Sequence, residues 1–340
     1  MIYFRVDANP IIGLGHMTRC LSIANELLRQ KKEVMFVIAP DSDSSVLKEN
    51  NMEFYQLRKD DELGWNTNEF IEFLVKQNDN NIIVFMDTYR INEKEMLKIS
   101  KSFKLVYLDD SPLFDYPVNG IINYNLDAKK VMYSNTRYKK RDIYIGPLFF
   151  PTKEDFIKNK KSQLSCPVNK VLITSSSTDA CESVLKILLA IKTNDYANIQ
   201  FYILIGSFFS LTYIKKLKSI AKTNNNIHLL SWGQDMPKLL SSVDLLISPG
   251  STVMMESLVV GTPCMSFSFV DNQIPTCLYA DNQKIAPYIG DLRHVDCKKN
   301  IKAKFNMMLD SEVLKLYFNN FKNLFDGNGC KRIYKIISNC

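Results

Sequence analysis

The chain has 340 residues, of which 46% are hydrophobic and 23% are charged, a balance typical of a folded globular protein. The net charge is +7, but the basic residues form no arginine-rich stripe with interleaved aromatics, which argues against a nucleic-acid-binding protein. No apolar run reaches the roughly 18 residues of a membrane span, and no signal peptide precedes the first predicted strand. We therefore expect a cytoplasmic protein without a membrane span.

The first half of the chain alternates short apolar runs with amphipathic stretches. Strands are predicted at residues 2–6, 34–39, 53–57, 82–86, 105–108, 120–124 and 143–145. Helices are predicted between them at residues 17–29, 68–77 and 93–101. Apolar strands separated by helices indicate a parallel sheet that is covered on both faces.

The composition changes between residues 141 and 167, where prolines and a lysine cluster predict a linker. The alternation then resumes, with strands predicted at residues 170–174, 200–205, 227–231, 245–247 and 264–267. Helices are predicted at residues 181–192, 211–222, 235–240 and 253–260, and helices fill the rest of the chain. We therefore expect an α/β protein of two doubly wound Rossmann-like domains, residues 1–150 and 168–340, joined by a linker at 151–167. Because ligands of open α/β sheets bind beyond the carboxyl ends of the strands, the two domains are expected to face a shared cleft.

Eight cysteines are spread singly through the chain, without a C-x-x-C pair. Several fall inside apolar patterns, where a free cysteine behaves as a small hydrophobic residue. The cysteine pattern therefore favours a reduced protein over a disulfide scaffold.

The first predicted strand runs into a glycine turn at Gly13 and Gly15, followed by His16 at the start of a helix. Glycines let a ligand approach the backbone, and a helix N-terminus attracts anions and favours a neutral imidazole. This pattern predicts a phosphate-bearing substrate beside a histidine that acts as a base. A purely structural turn is one alternative, and a dinucleotide site is another, although its fingerprint needs glycine where Thr18 stands.

A second block of the same kind lies at Gly250, Ser251 and Thr252, before a helix that carries Glu256. Hydroxyl and amide donors at a helix N-terminus suit a phosphate group, and Glu256 could accept hydrogen bonds from ribose hydroxyls. The alternative is an ordinary helix cap followed by a turn.

Acidic side chains follow two further strands of the first half, where they would face the same cleft. Asp87 and Tyr89 follow the fourth strand, whereas residues 109–110 are aspartates that follow the fifth. A D-x-D sequence at residues 41–43 is weak evidence for a metal, and no H-E-x-x-H, P-loop or G-x-S-x-G motif is present. We therefore expect no required metal or cofactor.

Taken in order, these blocks resemble the PseG/SpsG group, the nucleotide-sugar hydrolases of pseudaminic acid biosynthesis, which are related to MurG-type glycosyltransferases. The resemblance spans about residues 1 to 285. The matching positions are residues 5–7, 13–16, 19, 87–89, 108–110, 122–125, 145–147, 250–252, 256, 261–263 and 272–273.

The resemblance implies a GT-B-like fold and hydrolysis of a UDP-linked diacetamido-trideoxy sugar to free sugar and UDP, with inversion. His16 would activate water, Gly250 to Thr252 would hold the diphosphate, and Glu256 would lie near the ribose. The other positions expected to bind substrate are Asp7, Gly13, Gly15, Arg19, Asp87, Tyr89, Asn272 and Gln273. The partner is then a small-molecule nucleotide sugar, and a monomer is expected.

Three features depart from the family pattern. The Gly-Gly-x-Asp turn of the family is Ser176-Ser177-Thr178-Asp179 here, Lys153 stands where an arginine is expected, and Gly250 to Glu256 is one residue longer. The longer spacing suits a transferase, so an inverting GT-B glycosyltransferase is the alternative function. A basic and aromatic stretch at residues 132–139 would then be its acceptor surface. A non-catalytic nucleotide-sugar-binding protein is a third reading.

Overall fold

The computed structural model describes residues 1–9, 12–58, 64–79, 81–110, 112–133, 137–138, 141–175, 177–294 and 298–339. The chain forms two compact units. The first consists of Met1–Lys153 together with Gly327–Cys340, and the second consists of Glu154–Asp326.

The first unit is built on a seven-stranded parallel sheet. Its strands are β1 (Ile2–Val6), β2 (Val34–Ile38), β3 (Phe54–Gln56), β4 (Ile83–Asp87), β5 (Lys104–Leu108), β6 (Gly120–Asn123) and β7 (Asp142–Ile145). The connecting helices are α1 (Gly15–Arg29), α2 (Ser45–Glu49), α3 (Thr67–Val75) and α4 (Glu93–Ser100). The strands lie in the order β3-β2-β1-β4-β5-β6-β7. Successive strands are added on one side of β1 up to β3 and on its other side from β4 onward, so the strand order reverses between β1 and β4. Every residue of β1 is buried, as expected for a strand covered on both faces.

The second unit has a six-stranded parallel sheet in the order β10-β9-β8-β11-β12-β13. Its strands are β8 (Lys170–Ile173), β9 (Gln200–Leu204), β10 (Ile227–Leu230), β11 (Leu245–Pro249), β12 (Cys264–Ser268) and β13 (Tyr288–Asp291). Its helices are α5 (Glu154–Lys158), α6 (Ser183–Ile191), α7 (Leu211–Thr223), α8 (Met236–Ser242), α9 (Thr252–Val260), α10 (Ile274–Asn282), α11 (Lys298–Leu309) and α12 (Ser311–Phe321). Here the order reverses between β8 and β11.

The last helix, α13 (Gly329–Asn339), belongs to the first unit, although the sequence placed it in the second domain. It is amphipathic and packs against α1. Its apolar face, which includes Ile333, Ile336 and Ile337, is buried there. The physical reason is that α1 and α13 cover each other's apolar surface.

The predicted two-domain α/β architecture is confirmed by the two parallel sheets. Three elements were not predicted: the short helix α2, the short helix α5 within the segment expected to be a linker, and the strand β13, which lies in a segment expected to be helical. The described cysteines 20, 166, 181, 264, 277 and 330 are free thiols, whereas Cys297 and Cys340 lie outside the described residues. Among the described helices, none is both long enough and apolar enough to cross a bilayer.

The start of α13 offers a stability test at Gly329. A Cβ atom there would lie 2.0 Å from the carbonyl oxygen of Phe150, a backbone atom that cannot move aside as a side chain can. We expect Gly329→Ala to lower the free energy of unfolding by about 3 kcal/mol, as measured by urea denaturation. Lys335→Ala, at an exposed position of the same helix, is the control, and equal losses in the two variants would contradict the packing argument.

Candidate active site

The candidate site of the first unit lies at the carboxyl ends of four adjacent strands, β1, β4, β5 and β6. His16 and Arg19 lie in the first turns of α1, and Asp87 is the last residue of β4. Asp110 follows β5, and Tyr124 follows β6. The point where strand order reverses, between β1 and β4, is where open α/β sheets bind ligands. His16 and Asp87 meet at this point.

His16 is only 8% exposed, and its Nδ1 lies 2.6 Å from a carboxylate oxygen of Asp87. The edge-to-face contact with the Tyr89 ring, at a centroid distance of 4.7 Å, fixes a second side of the imidazole. Among the described residues, none forms a hydrogen bond with Nε2. The ring is therefore oriented through one nitrogen while the other keeps its capacity for chemistry.

Arg19 joins the two carboxylates of the site. Its Nε donates to Asp87 Oδ2 at 2.6 Å, and its Nη1 and Nη2 donate to Asp110 at 2.9 and 3.0 Å. Burial alone would raise the pKa of Asp87, but the Arg19 charge and the contact with His16 hold that pKa well below its usual range. Asp87 is therefore an ionised acceptor for His16 at neutral pH.

Tyr89 and Tyr124 complete this polar cluster. Tyr89 donates its hydroxyl to Asp110 Oδ2 at 2.7 Å, and the Tyr124 hydroxyl accepts from Arg19 Nη1 at 2.5 Å. Burial raises the pKa of both phenols above the ordinary value, and Asp110 raises both further. Both tyrosines therefore stay protonated.

The glycine turn leaves the N-terminus of α1 uncovered. Gly13 has a φ of +78°, a left-handed conformation that glycine adopts without strain, and a Cβ atom on Gly13 or Gly15 would meet nothing within 4 Å. The N-cap residue Leu14 makes no side-chain hydrogen bond to α1, and the first turn of the helix carries no acidic residue. The first backbone N–H groups of a helix in this state favour an anion.

Asp7 is placed differently from the other predicted binding residues. It is 1% exposed and accepts from Arg5 at 2.6 Å and from Thr88 at 2.9 Å. Arg5 is itself fully buried and stacks over the Trp65 ring at 4.2 Å. Asp7 therefore ties the end of β1 to the residue after β4 through buried hydrogen bonds.

The helices of the second unit differ in whether a side chain caps their N-terminus. This difference distinguishes the turn before α6, at residues 176–179, from the turn before α9, at residues 250–252. The carboxylate of Asp179 accepts from the backbone N–H groups of Ser183 and Val184, so it neutralises the start of α6 itself. Helices α7 and α8 are capped by Ser210 and Asp235. The departure from the family turn at Ser176 lies outside the described residues, and its neighbour Asp179 serves the fold.

Helix α9 has no such cap. Its N-cap residue, Ser251, makes no side-chain hydrogen bond to the helix, and the first turn from Thr252 contains no acidic residue. The preceding strand, β11, is one of the two strands between which the order of this sheet reverses. The start of α9 is therefore well suited to a diphosphate.

The other residues of the second unit that the sequence singled out lie within α9 or after it in the sequence. Glu256 is half-buried in the second turn of α9, and Asn272 is exposed between β12 and α10. Gln273 accepts from the backbone N–H of Phe269 at 3.0 Å, so its side chain shapes that loop. Lys153 is exposed at the end of the first unit's main segment.

Gly250 has a packing role that the sequence did not reveal. A Cβ atom at this position would lie 2.3 Å from Cys277 Sγ, which is buried on α10. We expect Gly250→Ala to lower the stability of the second unit by about 1–3 kcal/mol, measured by thermal unfolding. Gly15→Ala, where the space is open, is the matched control.

The double variant Gly250→Ala/Cys277→Ala separates packing from ligand approach. Removal of the thiol makes room for the new methyl group, so the double variant should recover most of the loss. A double variant that is no more stable than Gly250→Ala would contradict the packing explanation.

The D-x-D sequence is occupied by protein contacts. Asp41 accepts from Arg90 at 2.7 Å, and Asp43 accepts from the backbone N–H of Ser45 at 2.8 Å. In the part of the chain that the structure describes, no three His, Cys, Asp or Glu side chains are grouped as metal ligands.

Sequence reasoning did not assign roles to Asp110 and Tyr124. The available signal was their position directly after apolar strands β5 and β6, within segments that resemble the PseG/SpsG group. Their link to Arg19 depends on strand order, which a single sequence does not show.

Comparison with known proteins places this geometry in context. No protein-family model matches the chain. The chain is 23% identical over 278 residues to the UDP-2,4-diacetamido-2,4,6-trideoxy-beta-L-altropyranose hydrolase of Campylobacter jejuni, covering 82% of this chain and 95% of that protein. It is 22% identical over 335 residues to the spore coat polysaccharide biosynthesis protein SpsG of Bacillus subtilis, covering 96% and 94%.

Among solved structures, the MurG protein of Acinetobacter baumannii superposes with a TM-score of 0.68 at 12% identity, covering 100% of this chain and 99% of that one. Such a likeness shows the fold, which is the two-Rossmann-domain GT-B fold. The chain therefore has the GT-B fold that the sequence motifs indicated, and it is similar in sequence to the Campylobacter jejuni hydrolase and to SpsG.

Proposed function

We propose that this protein hydrolyses a UDP-linked sugar of the diacetamido-trideoxy class to the free sugar and UDP, within nonulosonic acid or surface-glycan biosynthesis. The observation that carries the proposal is the buried hydrogen bond between His16 Nδ1 and Asp87, at the reversal point of the first sheet. The similarity to the Campylobacter jejuni hydrolase supports the substrate class.

In the proposed reaction, His16 is the general base. The Nδ1–H group donates a hydrogen bond to Asp87 and keeps its proton. The Nε2 lone pair then removes a proton from water while the water oxygen attacks the anomeric carbon. The bond between that carbon and the phosphate oxygen breaks, and its electron pair leaves with UDP. Asp87 stabilises the imidazolium that forms, and attack opposite the leaving group inverts the anomeric configuration.

The second unit is proposed to bind the leaving group. The uncapped N-terminus of α9, with Ser251 and Thr252, would hold the diphosphate, and Glu256 would bind the ribose. Fixed N–H dipoles stabilise the charge that develops on a departing diphosphate without a metal. Tyr89, Asn272 and Gln273 are proposed to contact the sugar or water, and the α1 N-terminus at Gly13 and Gly15 to favour an anionic substrate.

The test is hydrolysis of a panel of UDP-sugars, including diacetamido-trideoxy sugars, in H₂¹⁸O without added metal or acceptor. We expect equal amounts of UDP and free sugar, with the label on the sugar's anomeric oxygen and the opposite anomer formed first. Label in UDP would contradict attack at carbon. UDP binding without release of sugar would favour the inverting glycosyltransferase.

A further inference from the structure

All five N–H hydrogens of the Arg19 guanidinium can be matched to acceptors in this structure. An arginine offers five donors in a fixed plane. The oxygen acceptors around them are Asp87 Oδ2 for Nε, Asp110 Oδ1 and the Tyr124 hydroxyl for Nη1, and Asp87 Oδ1 and Asp110 Oδ2 for Nη2.

Nη2 has one neighbour more than it has hydrogens. Besides Asp87 Oδ1 at 2.5 Å and Asp110 Oδ2 at 3.0 Å, it lies 3.0 Å from Nδ1 of His16. Hydrogen bonds from a guanidinium to a carboxylate are stronger than those to a neutral acceptor. The two carboxylates therefore take the two hydrogens, and Nδ1 receives none.

Nδ1 must then carry its own proton. It lies 2.6 Å from Asp87 Oδ1, and a bare nitrogen would place two lone pairs against each other at that distance. A neutral imidazole has one N–H and one bare nitrogen. The bare nitrogen is accordingly Nε2, the one that a base at this position needs.

We propose that Asp110 is a positioning residue that acts through Arg19 to reinforce the Nδ1-protonated tautomer of His16, which the contact with Asp87 already favours. Asp110 accepts the Nη2 hydrogen that Nδ1 would otherwise accept, and it also holds the Tyr89 hydroxyl at 2.7 Å while the Tyr89 ring rests on the imidazole. The effect of Asp110 on the rate of hydrolysis rests on the proposed function, whereas its effect on the His16 tautomer is independent of any substrate.

The experiment is ¹⁵N NMR of protein labelled at the histidine ring nitrogens, recorded over a pH series that reaches the neutral imidazole. The chain has only 3 histidines, so His16→Ala assigns the signal. In the wild type we expect Nδ1 to be of the protonated type and Nε2 of the bare type. In Asp110→Ala, the freed Nη2 hydrogen should shift the population toward bare Nδ1 and protonated Nε2.

Tyr124→Phe is the matched control. It frees a hydrogen on Nη1, which has no contact with His16 among the described residues, so the tautomer should not change. Asp110→Asn replaces one carboxylate oxygen by a donor and should shift the tautomer in the same direction by less. It is the second variant should Asp110→Ala fail to fold. Retention of protonated Nδ1 in a folded Asp110 variant would overturn the proposal, as would the same shift in Tyr124→Phe.

With substrate, Asp110→Ala should lower kcat about 10- to 100-fold and change KM by about twofold or less. A wild-type protein that releases no sugar at all would contradict the proposed function and leave the NMR test unaffected. A shifted tautomer with unchanged kcat would support the role of Asp110 in the tautomer. It would contradict the proposed role of bare Nε2 as the base.

Discussion

Replacement of His16 by alanine is expected to lower kcat for UDP-sugar hydrolysis by about 10²–10⁴-fold. The loss follows from the role of Nε2, because without it water must lose its proton to bulk solvent. KM should change little, since the diphosphate is proposed to bind at the start of α9. Steady-state kinetics of UDP release on the substrate identified by the panel give both parameters.

His228→Ala is the control for this variant, because His228 lies on β10 and hydrogen-bonds to Gln200 away from the candidate site. Added imidazole should partly restore the rate of His16→Ala by entering the space left by the ring. Loss of less than about tenfold in His16→Ala would argue against a general base at this position.

Replacement of Arg19 by methionine should have the largest effect on stability. Arg19 is the shared partner of Asp87, which is 1% exposed, and of Asp110. Removing one partner of a buried ion pair leaves the other charge uncompensated, which typically costs about 3–5 kcal/mol. Chemical denaturation at neutral pH should show this loss. Lys315→Met, at an exposed position of α12 beside the exposed Glu312, should leave the free energy of unfolding almost unchanged.

The loss in Arg19→Met should also shrink as the pH falls. In the wild type, the pKa of Asp87 lies below its unfolded value, so its stabilising contribution is present above about pH 4 and is lost on acidification. In the variant, burial without the Arg19 charge raises the pKa of Asp87. Protonation of Asp87 at lower pH therefore removes the buried charge and recovers part of the lost free energy of unfolding. A loss that stays constant from neutral to acidic pH would show that Asp87 is not the source of the destabilisation.

The fold was largely readable from the sequence, because it depends on local patterns, whereas the roles of the candidate site residues stay predictions. Continuous apolar runs such as residues 82–86 predicted buried parallel strands, and the glycine turn located the start of α1. Polar residues directly after strands predicted the sheet edge at which His16, Arg19 and Asp87 meet. The last helix was assigned to the wrong neighbour because its amphipathic pattern predicts a buried face but not the surface that covers it.

The hydrogen-bond partners of the site were not readable, because they arise between residues far apart in the chain. Asp7 and Asp87 are both acidic residues at the ends of strands, yet one is tied to Arg5 beneath the sheet edge and the other faces His16. Asp179 resembles a ligand-binding residue in sequence and instead caps α6. In each case, the outcome depends on strand order and register rather than on the residue type.

The placement of α13 has a consequence for biosynthesis. Because residues 154–326 separate α13 from the rest of the first unit, the ribosome makes the whole second unit before the apolar face of α1 can be covered. About 300 residues separate the end of α1 from α13, so at translation rates of about 5–20 residues per second the helix that carries His16 stays partly uncovered for about 15–60 seconds. The unit that emerges first from the ribosome is therefore the last to be completed, and until α13 is made the apolar surface of α1 that faces it is open to aggregation.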